Sequence, residues 1–162
     1  MPGKGFSLTE NMNIISRFLA PRVTIDLNLD YVLFQKSETS FRLETYAFII
    51  QEGENWRILS IGDPQILTEP GAIKAHLFQN DNALPKNHRY SLLVKFFQYG
   101  IIRCLKEAKK ISANPIFKPV VTVRGLEKLD IFFGYQQIIL ENAIGSFAAE
   151  ITFSDQEGSD IL

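Results

Sequence analysis

Two periodicities divide the chain. Between Val23 and Gly62 apolar residues come in short runs that read as strands, whereas from Asn87 onward they recur mostly at helical spacing. Val23 to Leu27 and Tyr31 to Phe34 predict a hairpin turning at Asn28, Leu29 and Asp30. Tyr46 to Ile50 and Trp56 to Gly62 predict a second hairpin, with Gly53 supplying the positive φ of its connection. Leu92, Leu93, Phe96, Phe97, Ile101, Ile102 and Leu105 fall on one face of a helix expected over 87–110, closed by Lys106, Lys109 and Lys110 at the negative end of its dipole. Val120 to Val123 reads as a strand covered on both faces. A second long helix is expected over 126–144, with Gly145 as its stop, and then a strand over 149–153.

The remaining segments follow from their punctuation. Residues 1–21 predict a helical extension ending at Pro21, in which Met12, Ile15, Phe18 and Leu19 form an apolar face for packing or for a membrane surface. Pro64, Pro70, Gly71 and Pro85 make 63–87 an irregular insertion, and 154–162 reads as an acidic flexible tail. One domain over 22–153 results, with the strand and helix order βββαβαβ. That is an α/β layer fold with helices on a mixed sheet.

Composition narrows the function classes. Seventeen basic against eighteen acidic residues leave no excess positive charge for phosphate backbones, which argues against a nucleic-acid partner. A single Cys104 builds neither a disulfide framework nor a thiolate zinc site. The chain has no apolar run of the roughly 20 residues needed to cross a bilayer and no signal-like start, so a cytoplasmic location is expected, with the inner face of the membrane as the alternative within it. His76 and His88 have no Cys or acidic partner at ligand spacing and read as surface or packing residues, and Cys104 reads as a packing residue. No catalytic residue and no metal set is expected.

The order βββαβαβ is that of the ribonuclease-H-like unit, and several segments add to it. Ile25-Asp26-Leu27 resembles the first-strand "IDLG" of bacterial actins, and Ile58 to Asp63 is similar to the "VLAVGDEA" strand of the MreB rod-shape-determining family. Ala72 to Ala75 resembles "TIKAIRP", Phe117 to Val123 resembles "KPRVVIGVP", and the stretch from Glu127 through Gly145 to Phe153 sits where the family has "ERRAI…AGA…VYLI". In order and at nearly the family's distances, these pieces cover residues 22 to 155. They resemble the first large subdomain only. The family's second "DIGGGT" hairpin, adenosine pocket and second large subdomain have no counterpart in this sequence.

The resemblance implies a nucleotide site and, residue by residue, a degraded one. Asp26 matches the family's first-strand acid, which holds Mg²⁺ through water, while Asn28 replaces the glycine that lets a backbone approach a phosphate. Asp30 adds a negative charge where a phosphate would sit, so Asp26, Asn28 and Asp30 form a nucleotide or metal remnant, Asp26 being more readily a turn-proximal acid than a working ligand. No cofactor is therefore expected, Mg-ATP being the alternative. Asp155 and Glu157, near the place of the family's hydrolytic glutamate, read as solvated tail charges. Two-metal nuclease chemistry needs converging carboxylates that Val120 to Arg124 does not supply. The resemblance thus implies a non-catalytic, pseudo-ATPase half-molecule: a cytoskeletal or cell-shape accessory whose partner is a full-length actin-like protein or a second copy. The alternatives are an ATPase fragment or a self-associating, membrane-anchored module.

Overall fold

A computed structural model describes residues 20–63, 69–79, 86–109, 118–129 and 136–154. Strands β1 (Arg22–Leu27), β2 (Tyr31–Lys36) and β3 (Thr39–Glu44) run antiparallel in sequence, and β7 (Val120–Arg124) and β8 (Glu150–Ser154) join them in parallel. The resulting five-stranded mixed sheet has the order β3-β2-β1-β7-β8. Helix α1 (Lys86–Lys109) lies between β3 and β7 in sequence and α2 (Gln136–Gly145) between β7 and β8, so the sheet and its helices realise βββαβαβ. Its third strand is Thr39–Glu44, a segment that the apolar pattern passes over because Ser40, Arg42 and Glu44 alternate with only two apolar residues, Phe41 and Leu43.

The expected second hairpin belongs to a different sheet. Strand β4 (Tyr46–Glu52) is the centre of a three-stranded antiparallel sheet, flanked by β5 (Asn55–Ile61) and β6 (Ile73–His76). Strand β6 lies inside the expected irregular insertion; four residues bounded by Gly71 and a bend are too short to show a period. Gly53 does carry a positive φ, 65°, in the β4–β5 turn.

The pleat of the main sheet separates two chemistries. Phe41, Phe34, Ile25, Val123 and Phe153 are successive register partners across all five strands, and this row faces the helices. The next row, on the opposite face, is Arg42, Leu33, Asp26, Arg124 and Ser154. Thr122 and Arg124 therefore lie on a half-exposed face, and β7 is fully buried on one side only among the described residues. The double coverage expected for this strand is not observed there. Val120 and Thr122 misled the pattern because valine and threonine suit a half-covered pleat as well as a buried one.

Helix α1 packs on β2 and β3 and against α2, which in turn rests on β8. Of the expected face, Leu92, Leu93, Phe96, Phe97, Ile101 and Leu105 are buried and Ile102 is half-buried, and Cys104 is core. The second helix is shorter than expected. Leu126–Lys128 forms a 3₁₀ turn and α2 spans Gln136–Gly145, because Gly125 at φ 81° turns the chain into a single tight turn rather than a helix start. The extension face Met12, Ile15, Phe18 and Leu19 and the tail beyond Ser154 lie outside the described residues.

Candidate functional site

The carboxyl ends of the parallel strands β1 and β7 meet the β1–β2 hairpin on one rim of the sheet. There Asn28 N–H donates to Tyr31 O at 3.0 Å, which closes the turn, and Lys128 Nζ donates to Asn28 Oδ1 at 3.3 Å. Gly125 fits against the end of β1 so closely that a Cβ would stand 2.4 Å from Leu27 O. Asp26 lies one residue before this end, half-buried on the polar face with Arg124 as its register neighbour.

Thr45, at which the chain leaves one sheet for the other, anchors the hairpin from behind. Its N–H donates to Asp30 O at 3.0 Å, its Oγ1 donates to Leu29 O at 2.7 Å, and its carbonyl accepts from Leu77 N at 2.8 Å. The residue is fully buried. Replacing it with valine keeps the shape and strands the Leu29 carbonyl, so Thr45→Val is expected to lower stability by about 1–3 kcal/mol in urea titrations. A change within error would mean that Leu29 finds another donor.

His76 completes the joint. Its Nδ1 accepts two backbone N–H groups, from Phe78 and Gln79, both at 3.1 Å. Nδ1 therefore carries no proton, and the ring is fixed with its hydrogen on Nε2. That nitrogen lies 3.4 Å from Thr45 Oγ1 and 3.5 Å from Asp30 Oδ1. Asp30 is 62% exposed while His76 is 6% exposed, so the carboxylate reaches from solvent to the edge of a buried ring. Thr45, His76 and Asp30 are the residue types of a nucleophilic triad in the wrong connection. Hydroxyl and carboxylate both meet Nε2, and the nitrogen that a triad uses for its acid is spent on the backbone.

Tyr46 stands beside them, its ring edge-on to His76 with centroids 4.8 Å apart and its hydroxyl 3.4 Å from Asp30 Oδ1. Burial first, then the charge and hydrogen bond of Asp30, then Glu44, push the Tyr46 hydroxyl above its ordinary 10.0. As pH rises, the unfolded chain loses this proton before the folded one does. The stabilisation from Tyr46 is thus complete below pH about 10 and is lost as pH climbs through the raised value. Subtracting the phenolate absorbance titration of Tyr46→Phe from that of the wild type should isolate a tyrosine that ionises above the usual range; a difference curve centred at or below it would contradict this placement.

The structure thus joins Asn28 and Asp30 to Thr45, Tyr46, His76 and Lys128, and leaves Asp26 on the adjoining sheet face. The sequence singled out only the hairpin and Asp26, with His76 as a surface or packing residue. Thr45 and Lys128 carried no sequence signal, since their partners are remote in the chain. At the turn itself the Asn28 amide is spent on Tyr31, the Asp30 carboxylate is largely exposed, and the exposed Lys128 ammonium reaches the Asn28 side chain. Among the described residues no three His, Cys, Asp or Glu side chains converge as metal ligands.

No protein-family model matches this sequence, and no curated protein does. Among solved structures, the chain is similar to a non-polymerising mutant of the actin-like protein MamK bound to AMPPNP, at 11% identity and a TM-score of 0.53, over 84% of this chain. The fold is actin-like. At this identity the likeness concerns architecture alone, that of an actin-like ribonuclease-H-like subdomain, and the chain spans 42% of the MamK chain. No helix among the described residues is long and apolar enough to cross a membrane.

Proposed function

We propose that this actin-like domain works by contact and not by catalysis, as an accessory of a cytoskeletal filament or cell-shape assembly. Its partner is a full-length actin-like protein or a second copy of itself. The observation that carries the proposal is the state of the Asn28–Asp30 hairpin. Where an actin-like nucleotide site needs free amides and room for a phosphate, this turn uses the Asn28 N–H internally and presents the Asp30 carboxylate, held by His76 and Tyr46. Rigid support with reversed charge suits a protein contact better than a triphosphate. The polar outer face of the main sheet, with Arg42, Asp26 and Arg124 in one row, adds mixed charges of the kind that fix register between partners.

Calorimetric titration of Mg-ATP into the purified chain, with Asp26→Ala beside it, tests the first half of the proposal. No heat above dilution is expected. Micromolar binding that depends on Asp26 would restore a nucleotide-dependent switch. Co-sedimentation with a polymerised actin-like protein tests the second half, with enrichment in the pellet expected; absence from the pellet together with a strictly monomeric mass would overturn the contact role.

A further inference from the structure

Among the described residues the exposed large apolar side chains are Tyr90, Tyr99 and Ile138, and the last two stand on neighbouring helices. Tyr99 on α1 is 45% exposed and Ile138 on α2 is 57% exposed. Each lies opposite the buried stripe of its own helix. At about 100° per residue, Tyr99 points away from Phe97, Ile101 and Cys104, and Ile138 points away from Leu140 and Ala143. Because α1 and α2 pack against each other over the main sheet, both side chains project from the outer surface of one helical layer.

The outer faces of the two helices carry opposite charge. Between Lys86 and Lys106, α1 contains Lys86, Arg89, Lys95, Arg103 and Lys106 and no acid, and Lys95 and Lys106 are exposed on the side of Tyr99. In α2 the charged residue is Glu141, which is exposed beside Ile138. Gln137 Nε2 donates to Glu141 Oε1 at 3.0 Å and holds the carboxylate on this face. Neither helix face complements itself, and each complements the other. That is the condition under which two identical copies meet across a two-fold axis, residue i on residue j and j on i.

The topology permits that meeting. Helix α1 leads into β7 and α2 into β8, two strands of the parallel set, so the helices run in the same sense. A two-fold axis laid between them and along them seats α1 of one copy on α2 of the other, twice over. With Tyr99 placed on Ile138 of the second copy, Glu141 lies three residues beyond Ile138 and Lys106 seven beyond Tyr99, about 4.5 and 10.5 Å of helix rise. A lysine side chain spans the difference of roughly 6 Å, since it leans back toward the helix N-terminus. We propose that this outer surface of α1 and α2 is the contact between two copies of the chain, with Tyr99 packed on Ile138 and Lys106 paired with Glu141, each twice; it rests on the contact role proposed above and gives that role its surface. Two helix faces make a small interface, so the dimer is weak and reversible.

Sedimentation equilibrium from about 10 μM to about 1 mM should show the mass of the purified chain rising from 18.4 kDa toward twice that value. Ile138→Asp changes an exposed position and spares the core, and it should weaken dimerisation by about tenfold or more. Glu141→Lys alone and Lys106→Glu alone should each do the same, because like charges then face one another. An equimolar mixture of these two variants should recover the dimer, since each α1 again meets an α2 of opposite charge. A strictly monomeric wild type, a dimer indifferent to the three substitutions, or a mixture that stays monomeric would each overturn the interface. A monomeric wild type that still pellets with an actin-like filament overturns this interface and leaves the contact role standing. Loss of that pelleting in Ile138→Asp would then assign the surface to the filament instead of a second copy.

Discussion

Gly100→Ala will destabilise this protein by about 3 kcal/mol, although alanine is the better helix former by about 1 kcal/mol. Gly100 lies inside α1, and a Cβ built on it would stand 2.2 Å from Phe34 Cζ and under 2.7 Å from two more ring atoms. Phe34 has nowhere to go. It is fully buried on β2, stacked on Phe41 at 5.4 Å and flanked by Phe96 and Phe97 at 6.1 and 6.4 Å. Accommodating one methyl group therefore means lifting the helix from the sheet or forcing an aromatic ring off its rotamer. Urea unfolding of Gly100→Ala, Phe34→Leu and the double variant should give a strongly non-additive cycle, with the double variant more stable than the sum of the singles implies. A stabilised Gly100→Ala would mean that helix propensity outweighs the contact and that α1 sits further from β2.

Gly125→Ala is expected to cost about 3–4 kcal/mol, through two terms that act at the same residue. The first is conformational, since φ at 81° is a region that side chains with a Cβ avoid. The second is steric, and the obstacle is backbone. Leu27 O would lie 2.4 Å from the new Cβ, and Leu27 ends β1, the strand paired in parallel with β7. Moving that carbonyl means opening the centre of the sheet at the rim that carries Asn28 and Lys128. Gly53 is the internal control, because it has φ 65° and nothing within 4 Å of a Cβ, so Gly53→Ala incurs only the conformational term of about 1–2 kcal/mol. Equal losses for the two variants by thermal unfolding would show that the backbone approach at Gly125 can relax.

Both predictions concern glycines whose importance is invisible in their own neighbourhoods. Gly100 sits in a helical pattern as a tolerated flaw, and only Phe34, far away in sequence on another strand, explains it. The candidate site is of the same kind. Asn28 and Asp30 stood out locally as a turn between two apolar runs and as site residues through the family resemblance, whereas Thr45 and Lys128 matter through Leu29, Leu77 and Asn28, which come from other elements. His76 was visible as a histidine, yet its fixed tautomer depends on two amides that follow it and on the joint between two sheets.

What the sequence determined by itself is what local periodicity and turn chemistry control. The alternation in β1 and β2, the buried stripe of α1, the glycine turn at Gly53 and the helix–strand succession after α1 all follow from short-range preferences that the native structure keeps. The tertiary structure decided the rest: that β4 and β5 leave the main sheet to join β6, that Thr39–Glu44 takes the edge position, that one face of the main sheet stays polar, and that Thr45, His76 and Asp30 converge. These depend on which remote segments meet. A strand's period states which residues share a face, but the identity of the covering element, and so the worth of a single methyl group or hydroxyl, is set only when the chain closes on itself.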